Sequence, residues 1–549
     1  MISARIPLLT DFIRKNQFRI LLGILVALAG SFITVLLPLS LGNLQSIGDS
    51  GEGAKSRLLE SLGLRVHEMD SFFVLFLGLV VFRFLAGGTE YFLSSRIGAA
   101  WTRSLRDYLF ERQIAQSPEQ FRKKDSGYYL LRFSGDMGTA KSLISKGIIK
   151  ACADAGLILF SLLVFLMMDV WLAVAVAIIL GLGVPLGILL GGETNRRKTE
   201  AGNSKSLLIK TVSEAYARFI TIKALNFENK EKKRFMDISE EVQRKENHTS
   251  MVDSVEKSFS ETYFFLLIAI VVFFFFGNNE SALDQADLLT VILLLLYVRG
   301  PIRRLLTLPK IWKNGTVSLE KIWTIGEQPV ESTERDTSMK REARAITYLL
   351  KPNTSRRRVP DFRVDKGRTC ILLGGQGSGK SYFLQKLLCL VPTEPEETLL
   401  LDIIPYNTLS PFEIRRQIGY SSDEIELSGE SLVDALNFNN EEGKMDKAVG
   451  ILNKLGFEPN RIVDPTYLKE IRQVPHELSS GQIQLLRLAR TILTGKKVLC
   501  LDEPFNNLDS EHTRMVVSYL NGLKGSHTII IACASIPAGL IVEKTIELK

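Results

Sequence analysis

The chain has 549 residues, too many for one hydrophobic core, so at least two domains are expected. Hydrophobic residues make up 46%, high for a soluble protein of this size, and they crowd into long runs before about residue 310. The formal charge of +8 sits mostly in segments flanking those runs, which fits membrane topology and argues against nucleic-acid binding. Cys152, Cys370, Cys389, Cys500 and Cys533 form no CxxC pair and lack nearby histidine clusters, which argues against a disulfide framework or a zinc site.

A membrane-crossing helix needs about 20 mostly apolar residues. In chain order, six stretches qualify: Phe18–Leu41, Phe72–Phe92, Ala151–Met168, Trp171–Leu190, Tyr263–Phe276 and Leu288–Leu306. The first is longer than a signal-peptide core and lacks a small-residue cleavage site, so it reads as a retained helix. Ile6–Arg14, just before it, suits an amphipathic elbow. Only Asp169 and Val170 separate the third and fourth stretches, which predicts a tight hairpin. The fifth has a short apolar core and is expected to continue into its amphipathic flank.

Lys and Arg gather before the first stretch, between the second and third, and between the fourth and fifth. The loop Gly277–Gln285 instead carries Glu280 and Asp284 with no cation. The positive-inside rule then puts both termini in the cytoplasm. The two long inner segments, about 55–75 residues each, contain few helix breakers, so long helical extensions into the cytoplasm are expected. Arg83 and Arg299 lie within apolar stretches, roughly 15 Å from the outer ends at 1.5 Å per residue. Such cations face a cavity or a partner. They fit either an anionic part of a cargo or internal pairing, with Glu90 or a backbone carbonyl as partner.

The second half changes character. Thr369–Leu373 reads as a strand leading into Gly374-Gly375-Gln376-Gly377-Ser378-Gly379-Lys380-Ser381, then a helical run Tyr382–Leu390. This is a full GxxxxGK[ST] phosphate loop, in which backbone N–H groups cradle phosphates, Lys380 reaches the terminal ones and Ser381 ligates Mg²⁺. Lys497–Glu503 is an apolar strand ending in two carboxylates: Asp502 suits the metal's water shell, and Glu503 can polarise an attacking water. Between these pieces, Leu478-Ser479-Ser480-Gly481-Gln482 opens the amphipathic run Ile483–Leu493 and offers N–H groups to a phosphate.

With these motifs in this order, the chain resembles the ATP-binding cassette (ABC) family. Leu478–Gln482 looks like its LSGGQ signature with Ser480 in place of a Gly, and Asn507-Leu508-Asp509 looks like its D-loop. The first half resembles the type IV, six-helix exporter form. Gly127, Arg132 and Asp136 in SGYYLLRFSGD match a first intracellular loop, Ser213–Phe235 a second, and Pro301 with SLEKIW the sixth helix and its exit. The resemblance implies a membrane all-α six-helix bundle (1–325), a linker (326–345) and an α/β P-loop cassette (346–549). It also implies ATP and Mg²⁺ as cofactors, a second half as dimer partner, and each ATP held between one half's phosphate loop and the other's signature. A multi-pass protein of a bacterial plasma or inner membrane, with its cassette cytoplasmic, follows. The cargo is not identified.

Two positions depart from the family pattern. In IGYSSDEIEL, Asp423 stands where the family has a Gln that contacts Mg²⁺ and water. In HTIIIACAS, Cys533 stands where it has a His that contacts the γ-phosphate, and a thiol is a poor substitute. His527 precedes the strand and is not a replacement. Tyr348 lies near the spacing expected of the aromatic that stacks on adenine, and the segment after Cys533 is short for the family. These features leave three readings: an exporter half that hydrolyses ATP, in a homodimer or with a different half; a half that binds ATP only as a switch; and a soluble repair or translation cassette, which the six apolar stretches disfavour.

Overall fold

The computed structural model describes residues 7–44, 68–123, 126–277, 285–331, 339, 341–350, 360–427, 432–436, 444–457 and 478–548. Two compact units emerge: Met1–Glu111 with Ser126–Glu327, and Arg112–Asp125 with Gln328–Lys549.

The first unit is built from helices joined by short turns in its described residues. Helix α1 (Pro7–Lys15) buries Leu9 and Phe12, the latter against Trp101 with ring centroids 4.8 Å apart. Then come α2 (Gln17–Leu44) and α3 (Met69–Ile114), whose last residues pass into the second unit's Arg112–Asp125 segment. That segment carries α4 (Pro118–Arg122), opened by Ser117 as cap and by Pro118 at the first helical turn. The first unit resumes with α5 (Ser126–Leu131), a π-helical stretch Arg132–Asp136, α6 (Met137–Ile144), a second π stretch Ser145–Lys150 and α7 (Ala151–Met168).

The hairpin expected at Asp169 is present. Asp169 adopts an extended backbone, and its carboxylate accepts from the Trp171 and Leu172 amides at 2.7 and 3.0 Å, capping α8 (Val170–Ala217). After α9 (Phe219–Ala224), α10 (Glu228–Gly277) runs 50 residues without a break, joining the amphipathic flank to the fifth apolar stretch. Helix α11 (Gln285–Leu306) contains Pro301, and α12 (Leu308–Gly326) follows.

All six apolar stretches therefore lie in long helices. Among the described residues, three helices are long and apolar enough to cross a membrane: Gln17–Leu41, Met69–Ile114 and Tyr128–Met168. The apolar windows described in α8 and α10 are shorter, Val170–Ile179 and Glu261–Phe273. Helix α11 carries Arg303 and Arg304 in its last turn. Glu280 and Asp284, used above for topology, lie outside the described residues.

Val35, Leu39, Phe165, Leu267 and Leu294 bury a core where α2, α7, α10 and α11 meet. Helix α3 instead exposes Phe73, Val74, Leu77, Phe82 and Phe84, an outward apolar face suited to lipid. Arg132 and Asp136, singled out in the sequence, form a buried ion pair. Asp136 also accepts from Ser318 Oγ at 2.8 Å, so the SLEKIW stretch in α12 joins them.

The second unit is an α/β cassette with two sheets. One is antiparallel, in the order β2 (Phe362–Val364), β1 (Ile346–Leu350), β4 (Glu397–Leu401), β5 (Ile404–Pro405). The other is parallel, in the order β6 (Ile418–Ser421), β7 (Val498–Asp502), β8 (Thr528–Cys533), β3 (Thr369–Leu373), β9 (Lys544–Glu547). Strands β7 and β8 are buried at every residue, as their unbroken apolar runs require. Helices α13 (Lys380–Leu387), α14 (Pro411–Gln417), α15 (Leu432–Leu436), α16 (Lys444–Leu455), α17 (Ser480–Leu493) and α18 (Ser510–Gly522) accompany them.

Parts of the segment expected as a linker are docked. Arg415 makes a two-pronged ion pair with Glu331 at 2.6 and 2.7 Å, and the amides of Met339 and Ala343 donate to Glu413 and Gln417 of α14.

Candidate functional site

In an open parallel sheet, the crevice beyond the carboxyl ends of the strands is where ligands bind. Four strand ends converge here. Strand β3 runs into Gly374–Ser381, where Gly377 and Gly379 take φ of +82° and +90°, a region costly for residues with a Cβ. Gly379 caps α13, so the helix's free N–H groups face the loop and form an anion cradle. Lys380, only 6% exposed, donates to Gly374 O at 2.7 Å and Gly375 O at 3.0 Å. Its ammonium also lies 3.4 Å from Glu503 Oε1.

At the end of β7, Asp502 accepts from Ser381 Oγ at 3.0 Å. Burial pushes the Asp502 carboxyl above its ordinary range; neighbouring Glu503 adds to this, while Ser381 and Lys380 oppose it. Glu503 sits at φ +45°, a strained backbone for a non-glycine residue. Two hydrogen bonds hold it there: its amide donates to Ala532 O at 2.8 Å, and its carbonyl accepts from Gln484 Nε2 at 3.2 Å. Ser378 Oγ is buried with no partner among the described residues. An orphaned hydroxyl, a cradle of N–H groups, a buried cation and a carboxylate short of positive charge fit a polyphosphate with a hard cation.

The signature segment opens α17. Ser479 and Gln482 form a capping box, with Ser479 Oγ accepting from the Gln482 amide at 3.2 Å and the Ser479 amide donating to Gln482 Oε1 at 2.9 Å. Leu478 is half-buried, and Ser480 is exposed at the first helical position, where the replacement of a glycine costs nothing sterically. Gly481 is different, because a Cβ there would meet Asn507 O at 2.9 Å.

Several expected site residues turn elsewhere. Tyr348 is 2% exposed, packed between Phe362 and Phe383, with its hydroxyl donating to Glu397 at 3.0 Å. It is a core residue of β1 with no face free for a base, so the adenine assignment is corrected. Asp423 does not turn to Asp502; its carboxylate pairs with Arg487 of α17, whose Nη2 also donates to Asp423 O at 3.1 Å. Ser422 takes the inward place, with its hydroxyl 3.5 Å from Asp502 Oδ2. Cys533, 2% exposed, ends β8 opposite Leu373, and burial followed by the Glu503 charge pushes its thiol up to about 11. It is a neutral thiol at ordinary pH. His527 lies at the other end of β8.

In the first unit, Arg299 pairs with Glu261 at 3.2 Å and lies over the Phe264 ring, so it is not a free cation. Glu90, the partner considered for these arginines, instead binds Lys150 at 2.7 Å. Arg83 is half-buried on α3 beside Gly87 and Gly30, and makes no hydrogen bond or ion pair among the described residues.

Sequence reasoning missed Ser422, Gln484 and Arg487. Arg487 carried a signal: with Arg490 it places two cations three residues apart on one face of an amphipathic helix.

Comparison with known proteins fits this geometry. Residues 20–302 match the family model described as ABC transporter transmembrane region, and residues 358–506 match the one described as ABC transporter. An ATP-dependent lipid A-core flippase of Bordetella avium is 24% identical over 475 residues, spanning 83% of this chain and 79% of that protein. An ABC transporter B family member 18 of Arabidopsis thaliana is 33% identical over 194 residues, 34% of this chain and 15% of that one. A solved structure, a bacterial Atm1-family ABC exporter with ATP bound, superposes with a TM-score of 0.81 at 15% identity, over 97% of this chain and 94% of that one.

Proposed function

The chain belongs to the ABC transporter family, with a transmembrane region and an ATPase domain fused in one polypeptide, and on that premise we propose that it is one half of a dimeric exporter that uses ATP hydrolysis to move an amphipathic molecule across a bacterial inner membrane. The observation that carries this reading is the convergence of Lys380 and Ser381, after β3, with Asp502 and Glu503, at the end of β7.

Each residue has a role in that scheme. The N–H groups of Gly374–Ser381 and the Lys380 ammonium hold the phosphates, and Lys380 exchanges its present contact with Glu503 for a phosphate oxygen. Ser381 and Asp502 would hold Mg²⁺, which supplies charge neutralisation when bound. Glu503 orients the attacking water and takes its proton; its strained backbone fixes where that carboxylate points. Leu478–Gln482 serves the phosphates bound to a second half. A ligand bridging two cassettes favours the closed arrangement by its extra contacts there, which is how ATP drives the switch.

The flippases among the relatives suggest a lipid-like cargo. Arg83, half-buried and without an acidic partner among the described residues, supports an anionic group on it. The cationic segments between the apolar stretches support a cytoplasmic cassette and cytoplasmic termini. A second reading, which the relatives do not favour, rests on two observations: the diversion of Asp423 to Arg487 and the neutral thiol of Cys533. Here the half binds ATP and lends its signature to a more active partner half.

The purified chain in lipid is expected to hydrolyse ATP, and Glu503→Gln is expected to lower turnover by about a hundredfold or more. Activity that is absent, or indifferent to this substitution, rules out autonomous hydrolysis. Native mass spectrometry separates a homodimer from a mixed one.

A further inference from the structure

Three consecutive side chains after β6 go to three different places. Ser422 faces Asp502, Asp423 grips Arg487 on α17, and Glu424 accepts from Gln385 Nε2 at 2.9 Å and from Arg122 of α4 at 3.1 Å. Gln385 belongs to α13, the helix that opens on Lys380, and it also accepts from Arg122 at 3.1 Å. One turn further along α17, Arg490 donates to Glu426 O at 3.0 Å. Two arginines spaced three apart on one helix face thus hold two positions spaced three apart on this segment.

We propose that residues 422–424 form a junction in which Asp423 is a positioning residue for the signature helix, leaving Ser422 as the polar group presented to Asp502. The proposal rests on the reading above that Leu478–Gln482 serves a nucleotide. Arg487 makes the case. Its side chain is 16% exposed and its Nε is buried without a partner among the described residues, so the helix carries a largely desolvated cation. A cation in that state needs a carboxylate nearby, and Asp423 provides both a carboxylate and a carbonyl. A Gln at 423 has no charge to give. An Asp there and an Arg at 487 therefore form a matched pair, and the loss of Gln is the consequence of a different connection. Because Ser479 caps the same helix five residues before Gln484 and eight before Arg487, tilting α17 at Arg487 moves the capping box at its start.

The test uses the full chain in lipid nanodiscs, with Asp423→Arg, Arg487→Asp and the double reversal, backed by the near-isosteric Asp423→Asn and Arg487→Gln. Each single change is expected to lower kcat about fivefold or more while the Mg²⁺ concentration for half-maximal activity stays within about twofold. The double reversal is expected to return kcat to within about twofold of the parent. Ser422→Ala is expected to shift the Mg²⁺ requirement. Thermal unfolding of the same set, which needs no turnover, is expected to give a non-zero coupling between positions 423 and 487. Zero coupling overturns the proposal, as does an Asp423→Asn protein whose only defect is a raised Mg²⁺ requirement. A parent activity indifferent to Glu503→Gln sinks the functional reading instead, while the unfolding cycle still decides the pair.

Discussion

Strands β6 and β7 are parallel neighbours, with Ser421 paired to Leu501, and each runs out into an Asp-Glu pair at the same edge of the sheet. The two pairs have identical composition and opposite fates. Asp502 is 7% exposed and, with Glu503, faces Lys380 and Ser381 across the crevice. Asp423 and Glu424 are each more than half exposed as side chains and turn to Arg487 and Arg122. A carboxylate in the first pair is held short of compensation, and one in the second is already paired. The lesson is electrostatic: a buried carboxylate with only a hydroxyl and a shared ammonium is poised for an incoming cation, whereas a paired one is structural.

The contrast breaks most visibly at Asp502. Asp502→Asn is expected to lower turnover about a hundredfold and, at the same time, to raise the melting temperature of the nucleotide-free chain. The sign follows from the direction of the shift. Burial raises the folded-state pKa above the unfolded one, so the folded chain holds its proton more tightly. Stability from this group is present below the unfolded pKa and is lost as pH rises through the folded value. At neutral pH the ionised group is therefore a liability that Asn removes, while Asn Oδ1 still accepts from Ser381. An unchanged or lower melting temperature would mean that Asp502 is compensated after all.

A third strand end sharpens the comparison. Cys533 ends β8 beside β7, and its thiol is raised from 9.0 to about 11, which leaves about a hundredfold less thiolate at pH 8. Alkylation by iodoacetamide, followed by mass spectrometry at that residue, is expected to be slower than for an exposed cysteine by at least that factor. Burial is the larger cause and the Glu503 charge the smaller. Glu503→Gln is therefore expected to speed the reaction by less than about tenfold. A larger acceleration would make the Glu503 charge, not burial, the force acting on this end of the sheet.

Much of the architecture was legible because it depends on pattern. Long apolar runs needed long helices, Asp169 was the one polar break that could cap a hairpin, and glycines at 377 and 379 announced a loop only they could form. What stayed hidden depends on direction. Nothing in the order Ser-Ser-Asp-Glu says which side chain points inward, because that is decided by Arg487, 64 residues away in sequence. Tyr348 was placed by spacing alone, and spacing cannot tell a strand's buried face from its exposed one when the strand is five residues long. Arg299 fits either a cargo's anionic group or internal pairing by sequence, and its partner, Glu261, stands on the preceding helix outside its own apolar stretch. The docking of Met339 and Ala343 on α14 uses backbone amides, which no composition records.

Within the second pair the two ion pairs should differ in strength. Arg122 and Glu424 are 52% and 60% exposed, so water screens their 3.1 Å contact. If Arg122 is lost, Glu424 still accepts from Gln385 Nε2, and the carboxylate can rehydrate at no great cost. Arg122→Ala is thus expected to cost less than about 1 kcal/mol, and to cost nothing measurable in about 1 M salt, where the Debye length falls to about 3 Å. Arg487 is only 16% exposed, so the loss of Asp423 strands a desolvated guanidinium, and salt should do little to hide it. Unfolding of Arg122→Ala and Asp423→Asn at low and high salt separates the two. If Arg122→Ala proves the costlier, or keeps its full effect in high salt, then Glu424 and not Asp423 is the anchored member of its pair.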